Sequence, residues 1–142
     1  MIKVGLNGFG RIGRAITRIL AEKRNFKIIA INEIDEDVEN LAYLLKYDSI
    51  YGKFKGNVKI RNGNIIVNNN KINFFSKKKI QDVPWERYKV DVVIEATGVH
   101  NNLLGAKKIV KKKISKIVIT HSSNKNIDFT MIMGVNEKKY DS

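Results

Sequence analysis

Three glycines, Gly8, Gly10 and Gly13, follow directly on the apolar run Ile2–Leu6 and lead into a segment of helical periodicity. A G-x-G-x-x-G spacing by itself is a weak signal, because glycine is common and the pattern short. Set between a strand and a helix it is restrictive. Gly8 permits a tight turn, Gly10 lets the backbone approach a pyrophosphate, and Gly13 lets the helix pack close to the strand. The free N–H groups and positive dipole end of that helix then face the anion.

The flanking pattern supplies the rest of a strand–helix–strand unit. Arg11–Arg24 reads as a helix with Ile12, Ile16, Ile19 and Leu20 on one stripe and Arg14, Arg18 and Glu22 off it. Phe26–Ile31 is a second unbroken apolar run, as expected of a parallel strand covered on both faces. Asp35–Tyr47 reads as a helix with Val38, Leu41, Leu44 and Leu45 inward and acids in its first turn.

The middle of the chain changes character. Val58–Phe75 carries a strong hairpin signal at Asn62-Gly63 and a second turn at Asn68–Asn70, predicting a small antiparallel excursion. Asp82–Trp85 starts a short turn or helix. Parallel character returns with a strand at Val90–Glu95, a helix at Asn102–Lys113 and a strand at Lys116–Thr120, and Met131–Val135 is a candidate for one more. The whole predicts one α/β domain over residues 1–142, a Rossmann-type doubly wound, mostly parallel sheet with a small antiparallel hairpin insertion.

Composition narrows the function classes. A hydrophobic fraction of 43% with one proline in 142 residues fits a globular chain with a sizeable core. No apolar run approaches the roughly 18 residues of a spanning helix, and the N-terminus lacks a signal-peptide pattern. With no cysteine there is no disulfide framework, so cytoplasmic residence is expected and no membrane partner. The net charge of +13 rests on 21 Lys against 6 Arg. The triplets Lys77–Lys79 and Lys111–Lys113 have no interleaved aromatics, so they read as solvated surface and nucleic acid is not expected as a partner.

Further positions complete the candidate site. Glu33 lies 20 residues after Gly13, at the end of the second strand, where a carboxylate accepts both ribose hydroxyls and repels a 2′-phosphate. That favours NAD over NADP. Thr97 and Gly98 end the fourth strand at the edge where such sheets bind ligands, and Thr120 occupies the equivalent edge of the next. His121 beside Ser122 does not make a nucleophile–base pair, because neighbours on an extended chain point apart. The two histidines give no metal-ligand spacing, so neither a catalytic residue nor a metal is expected.

The segments "KVGLNGFGRIGR" (Lys3–Arg14), "AINE" (Ala30–Glu33), "LAYLLKYDSIYGKFKG" (Leu41–Gly56), "VPW", "VIEATG", "GAKK" (Gly105–Lys108) and "MGVNEKKYD" (Met133–Asp141) come in one order and spacing. Together they resemble the N-terminal region of phosphorylating glyceraldehyde-3-phosphate dehydrogenases, across the whole chain. The resemblance implies NAD as cofactor, with Arg11 and Ile12 at the pyrophosphate, Glu33 at the ribose, and Phe9 and Asn32 also among the cofactor-binding residues. Lys78 stands near the adenine where an Arg is usual, and Thr97, Gly98 and Thr120 match positions near the cofactor. Glu33 replaces a usual Asp, His100 a usual aromatic, and "THSS" a more usual "SAP".

The same resemblance implies a homotetrameric parent enzyme acting on a sugar-phosphate aldehyde through a cysteine thiolate, a histidine base and hydride transfer to NAD. That cysteine is expected beyond Ser142, so the chain is expected to bind NAD, to lack the catalytic domain and to be inactive by itself. Two alternatives remain at this level. One is the cofactor domain of an erythrose-4-phosphate dehydrogenase, the other a standalone NAD- or polyanion-binding module.

Overall fold

Residues 1–110, 114–122 and 127–140 are described by the structure, a computed structural model. The first strand, β1 (Ile2–Asn7), is buried from Val4 to Asn7 and alternates its faces: Val4 and Leu6 join a core with Leu41, Leu45 and Phe54, while Gly5 faces the indole of Trp85. A strand buried on both faces lies between two apolar layers, as a doubly wound sheet requires. The second layer gathers Ile80, Val83, Trp85, Val93, Ala106 and Ile109.

Helix α1 (Arg11–Ala21) follows the glycines and returns the chain to β2 (Phe26–Asn32), which pairs parallel with β1. Its inner face differs from the stripe expected from the sequence. Gly13 and Thr17 are buried and Ile16, Leu20 and Ala21 half-buried, while Ile12 and Ile19 are 54% and 58% exposed. The helix is drawn onto the sheet at its glycine, so the i, i+3, i+4, i+7 row that faces the core starts from Gly13. The Thr17 hydroxyl, carried into that core, donates to the Gly13 carbonyl at 2.9 Å.

Helix α2 (Val38–Lys46) begins three residues later than the periodicity suggests. Asp37 is its N-cap, with a side chain accepting from the Asn40 N–H at 3.0 Å, so Asp35 and Glu36 stay outside the helix. A short pair, β3 (Tyr47–Asp48) and β4 (Gly52–Lys53), leads to β5 (Val58–Arg61), β6 (Asn64–Val67) and β7 (Asn70–Phe75). The expected antiparallel excursion is there, turning at Asn62-Gly63 and at Asn68–Asn69. It is built into the main sheet: β7 runs antiparallel to β6 and parallel to β2.

Two single turns of 3-10 helix, Ile80–Asp82 and Trp85–Tyr88, lead to β8 (Val92–Glu95), parallel to β1 on its other side. Helix α3 (Asn102–Val110) and β9 (Lys116–Ile119) complete the sheet, in the order β5-β6-β7-β2-β1-β8-β9. The expected continuation of α3 through Lys111–Lys113 lies outside the described residues, as does Ser123. Met131–Val135 is not a strand. Asn136 accepts from the Ile132 N–H and donates to the Thr130 carbonyl, which curls the segment into a turn ahead of a 3-10 turn at Glu137–Lys139. No helix among the described residues is long and apolar enough to cross a membrane.

Candidate cofactor cleft

The carboxyl ends of β1, β2 and β8 lie side by side, and the chain leaves β1 through Gly8 at φ +98°. That conformation suits glycine, and a Cβ there would stand 2.7 Å from the Ala96 and Thr97 main chain. The Gly8 N–H donates to the Asn32 carbonyl at 2.8 Å, which fixes the turn over the end of β2. Gly13, one turn on, lies so close to the Gly8 carbonyl that a side chain there would collide with it.

Between these glycines Phe9 is held from three sides. Its side chain is fully buried in the core, its N–H donates to Glu33 Oε2 at 2.6 Å, and its carbonyl accepts from Arg14 Nη1 at 2.9 Å. Glu33 Oε1 accepts from the Ile34 N–H at 2.7 Å. The first main-chain bond of α1 runs from the Arg14 N–H to the Gly10 carbonyl, so the N–H groups of Arg11, Ile12 and Gly13 have no partner inside the helix. Gly10 is the N-cap and offers no capping side chain. Nothing lies within 4 Å of where its Cβ would stand, so the space beside this end of the helix is open.

Beneath the turn runs a chain of side-chain hydrogen bonds that crosses three strand ends. Glu95, with no solvent exposure, accepts from Asn7 Nδ2 at 2.5 Å, from the Thr97 N–H at 2.8 Å and from the Thr97 hydroxyl. Asn7 Oδ1 accepts from Asn32 Nδ2 at 2.7 Å. Asn32 then bonds both main-chain groups of Lys77, its Nδ2 to the carbonyl and its Oδ1 to the N–H. At the other end the Thr97 hydroxyl oxygen accepts from Asn102 Nδ2 at 2.9 Å, reaching the start of α3. Every polar group needed to hold the floor of the cleft is thereby used within the protein.

The cleft brings together Gly8, Gly10, Asn32, Glu33, Lys78 and Thr97, with Asn7, Ile34, Lys77, Ala96, Val99 and Asn102 beside them. Arg11 and Ile12 sit at the exposed start of α1, and Gly98, at φ +74°, in the turn after Thr97. Phe9 and Gly13 do not line the cleft: Phe9 is wholly buried and Gly13 packs on the Gly8 carbonyl. Thr120 is not gathered into this cleft: its hydroxyl donates to the Glu95 carbonyl at 3.2 Å, and it lines a neighbouring apolar hollow with His121. His121 Nδ1 pairs with the Ser122 main-chain carbonyl at 3.0 Å, and its ring stacks edge-on with His100, centroids 5.1 Å apart. No group of three or more potential metal ligands occurs among the described residues.

Sequence reasoning left out Asn7, Ile34, Lys77, Ala96, Val99 and Asn102 as lining residues and the side-chain role of Glu95. Asn7 stands directly before the first glycine, and a polar residue at the buried end of an apolar strand was the signal available. The donor set fits an extended anionic dinucleotide: free N–H groups at a helix start, open space at Gly10, and a carboxylate and two lysines on the flank towards β2.

The family described as the glyceraldehyde 3-phosphate dehydrogenase NAD binding domain matches residues 2–103. Glyceraldehyde-3-phosphate dehydrogenase 1 of Kluyveromyces marxianus is 40% identical over 140 residues, covering 99% of this chain and 42% of the relative. The enzyme of Buchnera aphidicola subsp. Schizaphis graminum is 40% identical over 139 residues, 98% of this chain and 41% of the relative. The testis-specific form of Bos taurus is 41% identical over 137 residues, 96% and 34% respectively. The chain thus spans about two fifths of the length of the first two of these relatives.

Proposed function

The chain belongs to the family of glyceraldehyde 3-phosphate dehydrogenase NAD-binding domains, and we propose that it is the cofactor domain of a phosphorylating aldehyde dehydrogenase, folded as one unit over residues 1–142. The observation that carries the reading is the open helix start: three N–H groups without helical partners, at Arg11, Ile12 and Gly13, beside the bare Gly10. NAD, when bound, accepts the hydride that oxidises an aldehyde.

Each part of the cleft has a task in that reading. The N–H groups of Arg11 and Ile12 bind the pyrophosphate, with the Arg11 guanidinium exposed nearby. Glu33 accepts three main-chain N–H groups, two of them on Oε1, and offers the remaining lone pair of Oε2 to the adenosine ribose. Lys78 lines the adenine side. Thr97 and Gly98 shape the far end, and Thr120 acts by tying the end of β9 to β8.

The parent reaction would convert a sugar-phosphate aldehyde to an acyl phosphate in a cytoplasmic homotetramer. These 142 residues contain no cysteine to form the covalent intermediate. The test is calorimetric titration of the chain with NAD and an assay for aldehyde-dependent NADH formation. Binding without turnover is the expected result. Absence of NAD binding overturns the cofactor role, and turnover overturns the division of labour.

A further inference from the structure

We propose that Glu33 and Arg14 form a clamp on the two peptide units flanking Phe9 that pre-organises the phosphate-binding turn, so that both are positioning residues for the cofactor independently of any ribose contact. The proposal deepens the NAD reading and rests on it. Glu33 comes from the end of β2 and reaches the Phe9 N–H at 2.6 Å, while Arg14 comes from the first turn of α1 and reaches the Phe9 carbonyl at 2.9 Å. The two peptide units that flank Phe9 are thus each held by a charged side chain, the Gly8–Phe9 unit from β2 and the Phe9–Gly10 unit from α1, both bonds being charge-assisted.

Phe9 is the place where such a clamp acts most. It lies between Gly8 and Gly10, and glycine loses more conformational freedom on ordering than any other residue. The buried Phe9 ring anchors the side chain, but not the rotation of the peptide planes that flank it. Those planes set where the N–H groups of Arg11 and Ile12 point. Fixing them before the ligand arrives removes an ordering cost from binding.

Side-chain length is decisive. A carboxylate one methylene shorter, on the same backbone, keeps its charge but falls short of the Phe9 N–H. A glutamine keeps the reach and one acceptor oxygen. Ribose recognition and turn-holding are therefore separable at this position by Glu33→Asp and Glu33→Gln.

The experiment measures amide hydrogen exchange at Phe9 in the unliganded chain, and the affinity of wild type and variants for NAD and for 2′,3′-dideoxyadenosine diphosphate. The second probe has two phosphates and no ribose hydroxyls. Expected for Glu33→Asp is faster Phe9 exchange and about tenfold weaker binding of the dideoxy probe, the size of one charge-assisted bond. Glu33→Gln is expected to stay within about threefold of wild type on that probe, because a neutral acceptor remains. Arg14→Met is expected to quicken Phe9 exchange as well. Equal probe affinity across wild type, Asp and Gln forms, or Phe9 exchange unchanged in Glu33→Asp, overturns the clamp. A wild-type chain that ignores NAD overturns the cofactor reading instead, and Phe9 exchange still decides whether the clamp exists.

Discussion

Asn7 and Asn32 meet side chain to side chain under the glycine turn, the Asn32 amide donating to the Asn7 carbonyl oxygen at 2.7 Å with both residues almost wholly buried. They are the last residues of adjacent parallel strands and pair in register. Asn7 then gives its own amide to Glu95 at 2.5 Å, and Asn32 holds the backbone of Lys77. The two sides of the cleft are joined through this pair.

Asn7→Ala leaves the Glu95 carboxylate short of a donor and the Asn32 amide short of an acceptor, both away from water. The expected cost is about 2–4 kcal/mol, since each unmet buried group costs about 1–3 kcal/mol and a charged one more. Chemical denaturation with the midpoint and slope fitted separately measures it. A loss under about 1 kcal/mol would contradict the reading that both buried partners are left unmet.

Gly10→Ala and Gly13→Ala are expected to separate binding from stability. Gly10 has φ −68° and open space around its Cβ position, so alanine fits the folded chain while standing where the proposed pose brings the pyrophosphate. Its thermal midpoint should stay within a few degrees and its NAD affinity should fall by more than about tenfold. Gly13→Ala drives a methyl into the Gly8 carbonyl and should destabilise the chain outright. A stable Gly13→Ala protein, or a Gly10→Ala protein that binds NAD normally, contradicts this division.

Coenzyme preference follows from charge at the ribose. In the proposed pose Glu33 faces the place of a 2′-phosphate, so NAD should bind at least about tenfold tighter than NADP. Raising the ionic strength should narrow the gap, because the repulsion is partly screened. Lys77 and Lys78 line the same cleft and oppose the effect. Parallel titrations at two salt concentrations measure both terms, and tighter binding of NADP would remove Glu33 from the ribose.

Asp48 gives the chain a defined acid response. Its carboxyl accepts from the Tyr51 and Ile50 N–H groups at 2.9 and 2.8 Å, which, with the nearby Arg18 and Arg14 charges, holds its pKa below the ordinary 3.8. A lowered folded-state pKa means stability that is fully present above the unfolded value and lost as pH falls through the folded one. Asp48→Ala should therefore destabilise at pH 7, and its penalty should shrink steadily below about pH 3.8. Denaturant midpoints across pH 2.5–7 for both proteins measure the convergence.

Local spacing made most of the sheet readable. The parallel strands show as unbroken apolar runs because both their faces are covered. The hairpin at Asn62-Gly63 shows because that turn needs left-handed backbone at both of its central residues, and both adopt it. The inner face of α1 was readable only in part, with Ile16 and Leu20 turned inward as the stripe suggests. Four apolar residues suggested a stripe through Ile12 and Ile19, whereas close packing at Gly13 rotated the helix and left those two in solvent. Met131–Val135 has strand-like composition, but the Asn136 side chain takes the backbone partners a strand would need.

The candidate site divides along the same line. The sequence by itself determined the glycine turn, the acid at the end of the second strand and the family, because these rest on short-range spacing and residue identity. Only the tertiary structure decided what those groups hold. Residues 24 and 88 apart in the chain become neighbours: Glu33 closes on Phe9, and Glu95 bonds Asn7. Such partnerships depend on which strands lie adjacent and in what register, and parallel strands joined through intervening helices leave no local trace of that order.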